Sequence, residues 1–121
     1  MKKIIITGGY GFIGSNLIKY FLKKNYFVIN LDKLSYSGHI YNLKDVAKHK
    51  NYRFVKTDIG NTKIVYKILN KFKPSLIFNL AAETHVDRSI DSPEPFIKNN
   101  ILSLFKLLET IKKFNQNSKK N

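Results

Sequence analysis

The sequence predicts an α/β fold in which helices cover a doubly wound parallel sheet. Short runs of β-branched and aromatic residues alternate with segments of helical periodicity along the chain. A glycine-rich turn joins the first of these runs directly to the first helical segment. The run over residues 26–31 is apolar nearly throughout, which is typical of a parallel strand buried on both faces.

The first half of the chain predicts three strands and one full helix. A β-branched run makes residues 3–7 the first strand, and residues 27–31 and 52–56 form the next two. A short helical turn is expected over residues 41–47. Residues 13–24 form a helix because their apolar side chains share one face. That face consists of Ile13, Leu17, Ile18, Phe21 and Leu22.

The second half predicts two helices around a fourth strand, residues 76–80. Thr62 is expected to cap the first of these helices, which Pro74 prevents from continuing. The last helix spans residues 96–113, and residues 115–121 form a polar, lysine-rich tail that is expected to fray. The apolar residues of the last helix follow 4-3-4-3 spacing at Ile97, Ile101, Leu104, Leu108 and Ile111, widened by Leu102, Phe105 and Leu107.

Alternating strands and helices imply right-handed crossovers and the strand order 3-2-1-4. A ligand crevice is then expected where the order reverses, between strands one and four. The predicted fold stops after the fourth strand and its following helix, so strand four is an apolar edge. Because bare edges promote association, we expect a marginally stable or partly associated domain.

The turn between the first strand and the first helix predicts a Rossmann-like dinucleotide site. Gly9, Gly11 and Gly14 fit G-x-G-x-x-G, and Gly8, Gly11 and Gly14 fit G-x-x-G-x-x-G. Glycines permit the tight turn, the approach of backbone to a diphosphate and close helix packing. The backbone N–H groups at the helix N-terminus then bind the diphosphate.

Asp32 supplies the second half of this signature. It ends the second predicted strand, roughly 20 residues past the glycines, where an acidic group is expected to bind the adenosine ribose. A carboxylate there repels a 2′-phosphate, so NAD is favoured over NADP. Lys33 follows directly and softens that repulsion. Residues 1–114 are therefore predicted to form an NAD-binding domain without a substrate domain.

The composition is strongly basic, with 22 Lys and Arg against 8 Asp and Glu in 121 residues, a formal net charge of +14. Such charge can indicate an acidic partner, and a non-catalytic basic binding module is one alternative. Only Arg53 and Arg88 are arginines, however, whereas specific base readers depend on arginine. We therefore expect no nucleic-acid partner.

Several other classes are excluded or disfavoured. The chain has no cysteine, which excludes disulfides and thiolate chemistry. His39, His49 and His85 are far apart in sequence, so no metal site is expected. No run is long enough to span a membrane, and the N-terminus begins with a core strand rather than a signal peptide. A cytoplasmic location is expected.

Three stretches of the chain are informative together: residues 7–16 (TGGYGFIGSN), residues 30–38 (NLDKLSYSG) and residues 81–90 (AAETHVDRSI). The first opens in the manner of the extended short-chain dehydrogenases/reductases. The second resembles the ribose-binding turn of the dTDP-glucose 4,6-dehydratases within that superfamily, and the third is similar to that family's loop after the fourth strand almost residue for residue. UDP-galactose 4-epimerases usually differ in the second and third stretches. A nucleotide-sugar epimerase or decarboxylase of the same superfamily is the other alternative.

The resemblance implies how the adenosine half of NAD is bound. The backbone of Phe12 and Ile13 faces the pyrophosphate. Asp58 and Ile59 flank the adenine, where a carboxylate can accept a hydrogen bond from the exocyclic amine. Four consecutive residues hold the adenosine ribose: Asp32, Lys33, Leu34 and Ser35.

The resemblance also implies contacts to the nicotinamide half. Thr84 takes the position of a substrate-binding serine or threonine, and Asn99 that of a threonine near the cofactor. His85, Asp87 and Arg88 are interpreted as a local loop network rather than as catalytic groups. Five residues pass the nicotinamide-side ribose: Leu80, Ala81, Ala82, Glu83 and Thr84.

No catalytic residue is assigned. The resemblance implies a lyase acting on a nucleotide-sugar as a homodimer, with a Tyr-x-x-x-Lys pair on a later helix and an Asp–Glu pair after a fifth strand. Tyr20 with Lys24 and Tyr52 with Lys56 match the spacing, but both lie in the wrong elements. The sequence therefore predicts the NAD-binding N-terminal part of such an enzyme, inactive by itself.

Overall fold

The computed structural model describes residues 1–34, 37–81 and 93–120, with the backbone alone described for residues 37–39, 93–99, 119 and 120. The chain divides into two compact units. The first unit comprises residues 1–58 and 72–81, and the second residues 59–71 and 82–121. The prediction that residues 1–114 form one domain therefore stays a prediction, and each unit is described by itself.

The first unit contains a four-stranded parallel sheet. Its strands are β1 (Lys3–Thr7), β2 (Phe27–Asp32), β3 (Tyr52–Lys56) and β4 (Leu76–Asn79). Their order is β3-β2-β1-β4. The predicted α/β fold and strand order are confirmed, and the carboxyl ends of β1 and β4 meet where the order reverses.

Helix α1 (Phe12–Lys23) packs on this sheet and is followed, after β2, by a 3-10 helix (Ser37–Leu43). The sequence predicted this second helical segment over residues 41–47. The observed helix therefore begins four residues earlier than predicted. The buried core contains side chains of β1, β2, β3, both helical segments and the turn after β1: Ile4, Ile6, Tyr10, Ile18, Leu22, Val28, Leu43 and Tyr52.

Strand β4 lies at one edge of the described sheet, as predicted. Its first residue, Leu76, is 51% exposed, and Ile77 and Phe78 are only half-buried. The association expected from this apolar edge stays a prediction.

The second unit contains most of α2 (Thr62–Phe72) and all of α3 (Pro93–Lys120). Thr62 was predicted to cap α2, but Asn61 does so. The Asn61 Oδ1 accepts a hydrogen bond from the Ile64 N–H at 3.2 Å, and the Asn61 carbonyl accepts one from the Val65 N–H at 3.0 Å. The cap therefore lies one residue earlier than predicted.

Helix α3 corrects the prediction of a frayed tail over residues 115–121, because it continues to Lys120. Two contacts to one tyrosine of α2 explain the extension. Asn117 Nδ2 donates a hydrogen bond to the Tyr66 hydroxyl, and Lys113 Nζ lies 4.9 Å from the Tyr66 ring centroid. The predicted apolar surface of α3 is largely exposed at Ile101, Leu102, Leu104, Phe105 and Leu108.

Within the described ranges, none of the helices combines the length and apolar character needed to cross a bilayer.

Candidate functional site

The first glycine of the turn after β1 is required by two features of the structure. Gly8 has a φ of 69°, in the left-handed region that side chains disfavour. A Cβ at Gly8 would also lie 2.8 Å from the backbone N of Ala81 and from the Leu80 carbonyl. Glycine at this position thus lets the turn approach the end of β4.

Gly9 and Gly14 are required by packing. A Cβ at Gly9 would overlap the Asn30 side chain. A Cβ at Gly14 would lie 2.4 Å from the Gly8 carbonyl oxygen and 2.9 Å from the Gly9 Cα. The structure requires glycine at both Gly8 and Gly9. The two glycine spacings found in the sequence, which differ only in starting at Gly8 or Gly9, therefore describe the same turn.

Gly11 differs because nothing in the described protein requires glycine there. Its φ of −71° suits any residue, and the nearest atom to an added Cβ is the Gly8 carbonyl oxygen at 3.4 Å. Gly11 is the N-cap of α1, and no side chain of the described residues caps this helix. The N–H groups of Phe12, Ile13 and Gly14 therefore have no intrahelical partner and are suited to bind an anion.

Asp32 is held at the same edge of the sheet by two backbone amides. Its Oδ2 accepts a hydrogen bond from the Tyr10 N–H at 3.0 Å, and its Oδ1 accepts one from the Leu34 N–H at 2.8 Å. Leu34 adopts a φ of 53°, a strained conformation for a branched residue. Each carboxylate oxygen keeps further acceptor capacity, so the fixed carboxylate can accept hydrogen bonds from a pair of ribose hydroxyls.

Thr7 joins β1 to the end of β4 at the reversal of strand order. Its side chain is fully buried, and its Oγ1 donates a hydrogen bond to Asn79 Oδ1 at 2.6 Å. The same oxygen accepts hydrogen bonds from the Leu80 N–H at 3.0 Å and the Ala81 N–H at 3.1 Å. Thr7 therefore fixes the first residues that follow β4.

Replacing Thr7 with valine tests this arrangement. The shape is kept, but the Ala81 N–H loses its acceptor, whereas the Leu80 N–H still reaches the Thr7 carbonyl at 3.2 Å. We expect Thr7→Val to lower the free energy of unfolding by about 1–2 kcal/mol in urea denaturation. Thr7→Ser, which keeps the hydroxyl, is the control and should lose less. Equal losses in both variants would contradict a role for the hydroxyl.

Asn30 lies in the middle of β2 and is also fully buried. Its Oδ1 accepts a hydrogen bond from the Gly9 N–H at 2.9 Å, and its Nδ2 donates one to the Tyr52 hydroxyl at 3.1 Å. Asn30 and Thr7 were not predicted as site residues. The pattern that identifies them is a polar side chain inside an otherwise apolar strand, because a buried polar group needs partners.

The two Tyr-x-x-x-Lys matches do not form catalytic pairs. Tyr20 is 53% exposed near the end of α1 remote from the glycine turn, and the Lys24 Nζ lies 5.7 Å from its ring centroid. Burial raises the pKa of the Tyr52 hydroxyl, the opposite of what a proton-accepting tyrosine needs. Lys56 lies four residues along the same strand, roughly 13 Å away.

Other predicted contact residues are placed differently. Asp58 is exposed just after β3, and Ile59 is buried at the start of the second unit. Lys33 is half-buried and Leu80 is 39% exposed. For Asn99 the structure describes only the helical backbone. Several predicted residues lie outside the described ranges: Ser35, Ala82, Glu83, Thr84, His85, Asp87 and Arg88.

In the part of the chain that the structure describes, no group of three or more His, Asp or Glu residues is placed to hold a metal ion. The site combines three features: the uncapped N-terminus of α1, the space beside Gly11, and the Asp32 carboxylate that two backbone amides hold in place. Together these groups fit an anion joined to a sugar with free hydroxyls, such as a dinucleotide.

Comparison with known proteins bears on the family and the fold of the chain. A family model described as GDP-mannose 4,6 dehydratase matches residues 5–121. Over 113 residues the chain is 41% identical to dTDP-glucose 4,6-dehydratase of Salmonella typhimurium, a match covering 93% of this chain and 31% of that protein. The resemblance found in the sequence is thereby confirmed.

Solved structures show the same fold. The crystal structure of dTDP-glucose 4,6-dehydratase from Bacillus anthracis in complex with NAD matches with a TM-score of 0.80 and 37% identity, covering 94% of this chain and 34% of that one. UDP-glucose 4-epimerase from Thermotoga maritima with UDP-glucose matches with a TM-score of 0.78 and 34% identity, covering 93% and 34%. The chain thus spans about a third of the length of the relatives it matches.

Proposed function

Because the chain belongs to the GDP-mannose 4,6 dehydratase family, we propose that it binds NAD as the N-terminal portion of a dTDP-glucose 4,6-dehydratase-like lyase. The observation that supports this most directly is Gly11. Its backbone conformation and surroundings accept a side chain, yet it lies beside the uncapped N-terminus of α1. When neither the backbone conformation nor the neighbouring protein atoms require a glycine, the close approach of a ligand explains its presence.

In this proposal each described group has one task. The N–H groups of Phe12, Ile13 and Gly14 bind the diphosphate, which the positive end of the α1 dipole also attracts. Asp32 accepts hydrogen bonds from the adenosine ribose hydroxyls and disfavours a 2′-phosphate, so NAD is preferred to NADP. The adenine lies beside Asp58 and Ile59.

For the nicotinamide half, we propose that backbone from Leu80 to Thr84 approaches the cofactor, where Ala81 and Ala82 leave room. Thr84 contacts the nucleotide-sugar, and Asn99 contacts the cofactor. Thr7 supports this half indirectly because it fixes the Leu80 and Ala81 amides at the end of β4.

The bound coenzyme supplies hydride transfer to and from the sugar in the whole enzyme. We propose that the whole protein, a homodimer, converts a nucleotide-linked glucose to its 4-keto-6-deoxy form. The two Tyr-x-x-x-Lys matches of this chain are not placed to accept the sugar proton, so the chain alone should bind the coenzyme without turnover. An assay with dTDP-glucose and NAD should therefore yield no 4-keto sugar.

A nucleotide-sugar epimerase is the second candidate, since the epimerase structure matches almost as well as the dehydratase structure. Both candidates share the proposed NAD site. The dehydratase is favoured by the 41% identity to a dTDP-glucose 4,6-dehydratase and by the matching stretches over residues 30–38 and 81–90.

Thermal unfolding distinguishes coenzyme binding from the alternative of a basic module. A ligand at ten times its Kd stabilises the folded state by about 1.4 kcal/mol, which raises Tm by several degrees in a domain of this size. We expect this rise with NAD, a smaller rise with NADP, and none with a DNA duplex at 150 mM salt. A rise with DNA alone that disappears steeply with salt would instead support the basic module.

A further inference from the structure

The peptide group between Gly8 and Gly9 has the fewest intrinsic conformational restrictions in the glycine turn, because it is flanked by two glycines. Reversing a peptide plane changes ψ of the preceding residue and φ of the following one. Glycine tolerates nearly all values of both angles, so a peptide flanked by two glycines reverses at little steric cost. Some other group must therefore select its orientation.

Two hydrogen bonds hold this peptide, one on each side. The Gly9 N–H donates to Asn30 Oδ1 at 2.9 Å. The Gly8 carbonyl oxygen accepts from the Gly11 N–H at 3.1 Å. The second bond leads directly to the N-cap of α1, because Gly11 is the residue from which that helix begins.

Asn30 is itself rigidly placed. It is 0% exposed and lies in a central strand, where its neighbours across the sheet are Ile6 and Phe54. Its Nδ2 donates to the Tyr52 hydroxyl at 3.1 Å, which leaves Oδ1 as the atom that faces the Gly9 N–H. The orientation of the amide is therefore determined, since the Gly9 N–H requires an acceptor.

We propose that Asn30 is a positioning residue for the coenzyme site, holding the Gly8–Gly9 peptide in the orientation that fixes the N-terminus of α1. Without its acceptor, the peptide reverses and its carbonyl leaves the Gly11 N–H. The amides of the first turn then lose their common direction towards the diphosphate. This inference deepens the proposed NAD binding and rests on it.

The test compares Tyr52→Phe with the double variant Asn30→Leu/Tyr52→Phe. Both lack the Tyr52 hydroxyl, and leucine replaces asparagine at nearly equal volume. The two variants differ in the acceptor for the Gly9 N–H and in the Asn30 Nδ2, which loses its hydroxyl partner in Tyr52→Phe and is absent from the double variant. The unpaired Nδ2 disfavours Tyr52→Phe, so weaker NAD binding in the double variant still reports the loss of the acceptor. NAD affinity is measured by calorimetry, and amide hydrogen exchange at Gly9, Gly11 and Ile5 by NMR.

Tyr52→Phe should bind NAD within about twofold of the unaltered chain, and the double variant about tenfold more weakly. Exchange at Gly9 and Gly11 should become at least about tenfold faster in the double variant, with exchange at Ile5 in β1 unchanged. Equal affinity in the two variants, or an equal acceleration at Ile5, would overturn the proposal.

Two outcomes separate this inference from the proposed function. If the unaltered chain binds no NAD, the proposed function fails, and the exchange ratio of Gly9 to Ile5 still decides whether Asn30 holds the peptide. If the variants do not fold, exchange in the unaltered chain decides. A Gly9 amide as protected as its neighbours in the core supports the proposal, and an unprotected one contradicts it.

Discussion

Gly11→Ala should abolish most coenzyme binding while leaving the fold intact. The nearest protein atom to the new methyl group is 3.4 Å away and the backbone conformation is ordinary, so the free energy of unfolding should change by less than about 0.5 kcal/mol. The methyl group would occupy the space that a diphosphate needs beside the start of α1. We expect NAD affinity to fall on the order of 30-fold, measured by calorimetry.

Gly14→Ala is the matched variant with the opposite profile. Its methyl group would overlap the Gly8 carbonyl oxygen, which the bonds of its peptide to Asn30 and to the Gly11 N–H hold in place, and would lie 2.9 Å from the Gly9 Cα. We expect a loss of roughly 3 kcal/mol in the free energy of unfolding. If Gly11→Ala were as destabilising as Gly14→Ala, or if it bound NAD normally, the account of Gly11 as a ligand-facing glycine would be wrong.

Asp32→Asn should weaken NAD binding roughly 10- to 100-fold, because hydrogen bonds to a charged carboxylate are worth about 1.5–3 kcal/mol. NADP binding should weaken less or improve, since the repulsion of the 2′-phosphate is removed. The ratio of the two dissociation constants, measured by calorimetry in one buffer, is the decisive quantity because it is insensitive to a general loss of stability.

Asp45→Asn is the control for this change in charge. Asp45 is exposed and pairs with Lys19 at 3.2 Å, whereas Asp32 accepts from backbone at the glycine turn. Loss of one exposed ion pair should change the free energy of unfolding by no more than about 1 kcal/mol and should not change the NAD to NADP ratio. A ratio unaffected by Asp32→Asn would contradict the assignment of Asp32 to the ribose.

The main features of the fold were predictable because they depend on local patterns. Apolar runs identified all four strands, and the glycines and Asp32 identified the edge of the sheet at which we propose that the coenzyme binds. The strand order followed from right-handed crossovers together with the Rossmann-like pattern of the glycine turn. These features need no knowledge of distant contacts.

The features that were missed depend on contacts between distant residues. Helix α3 extends to Lys120 because Asn117 and Lys113 meet Tyr66, about 50 residues earlier in the chain. Thr7 can donate its hydrogen bond to Asn79, 72 positions away, only because β4 lies beside β1 in the folded chain. Neither of these two contacts can be inferred from the periodicity of the sequence.

Asn30 illustrates the same limit within the site. Its position inside an apolar strand indicated burial but not a partner. Only the fold brings the Gly9 N–H and the Tyr52 hydroxyl to its two amide atoms. The Asn61 cap is a smaller case, since Asn61 and Thr62 both suit an N-cap and differ by one residue in register.

An NMR titration of the ¹⁵N-labelled chain with NAD tests the central claim most directly. The account predicts that the largest amide shifts occur at residues 8–14 and at Asp32, with little change along the lysine-rich surfaces of α2 and α3. The same titration with Gly11→Ala should remove these shifts at equal concentration. Saturating NAD that leaves residues 8–14 and Asp32 unmoved in the unaltered chain would contradict the account.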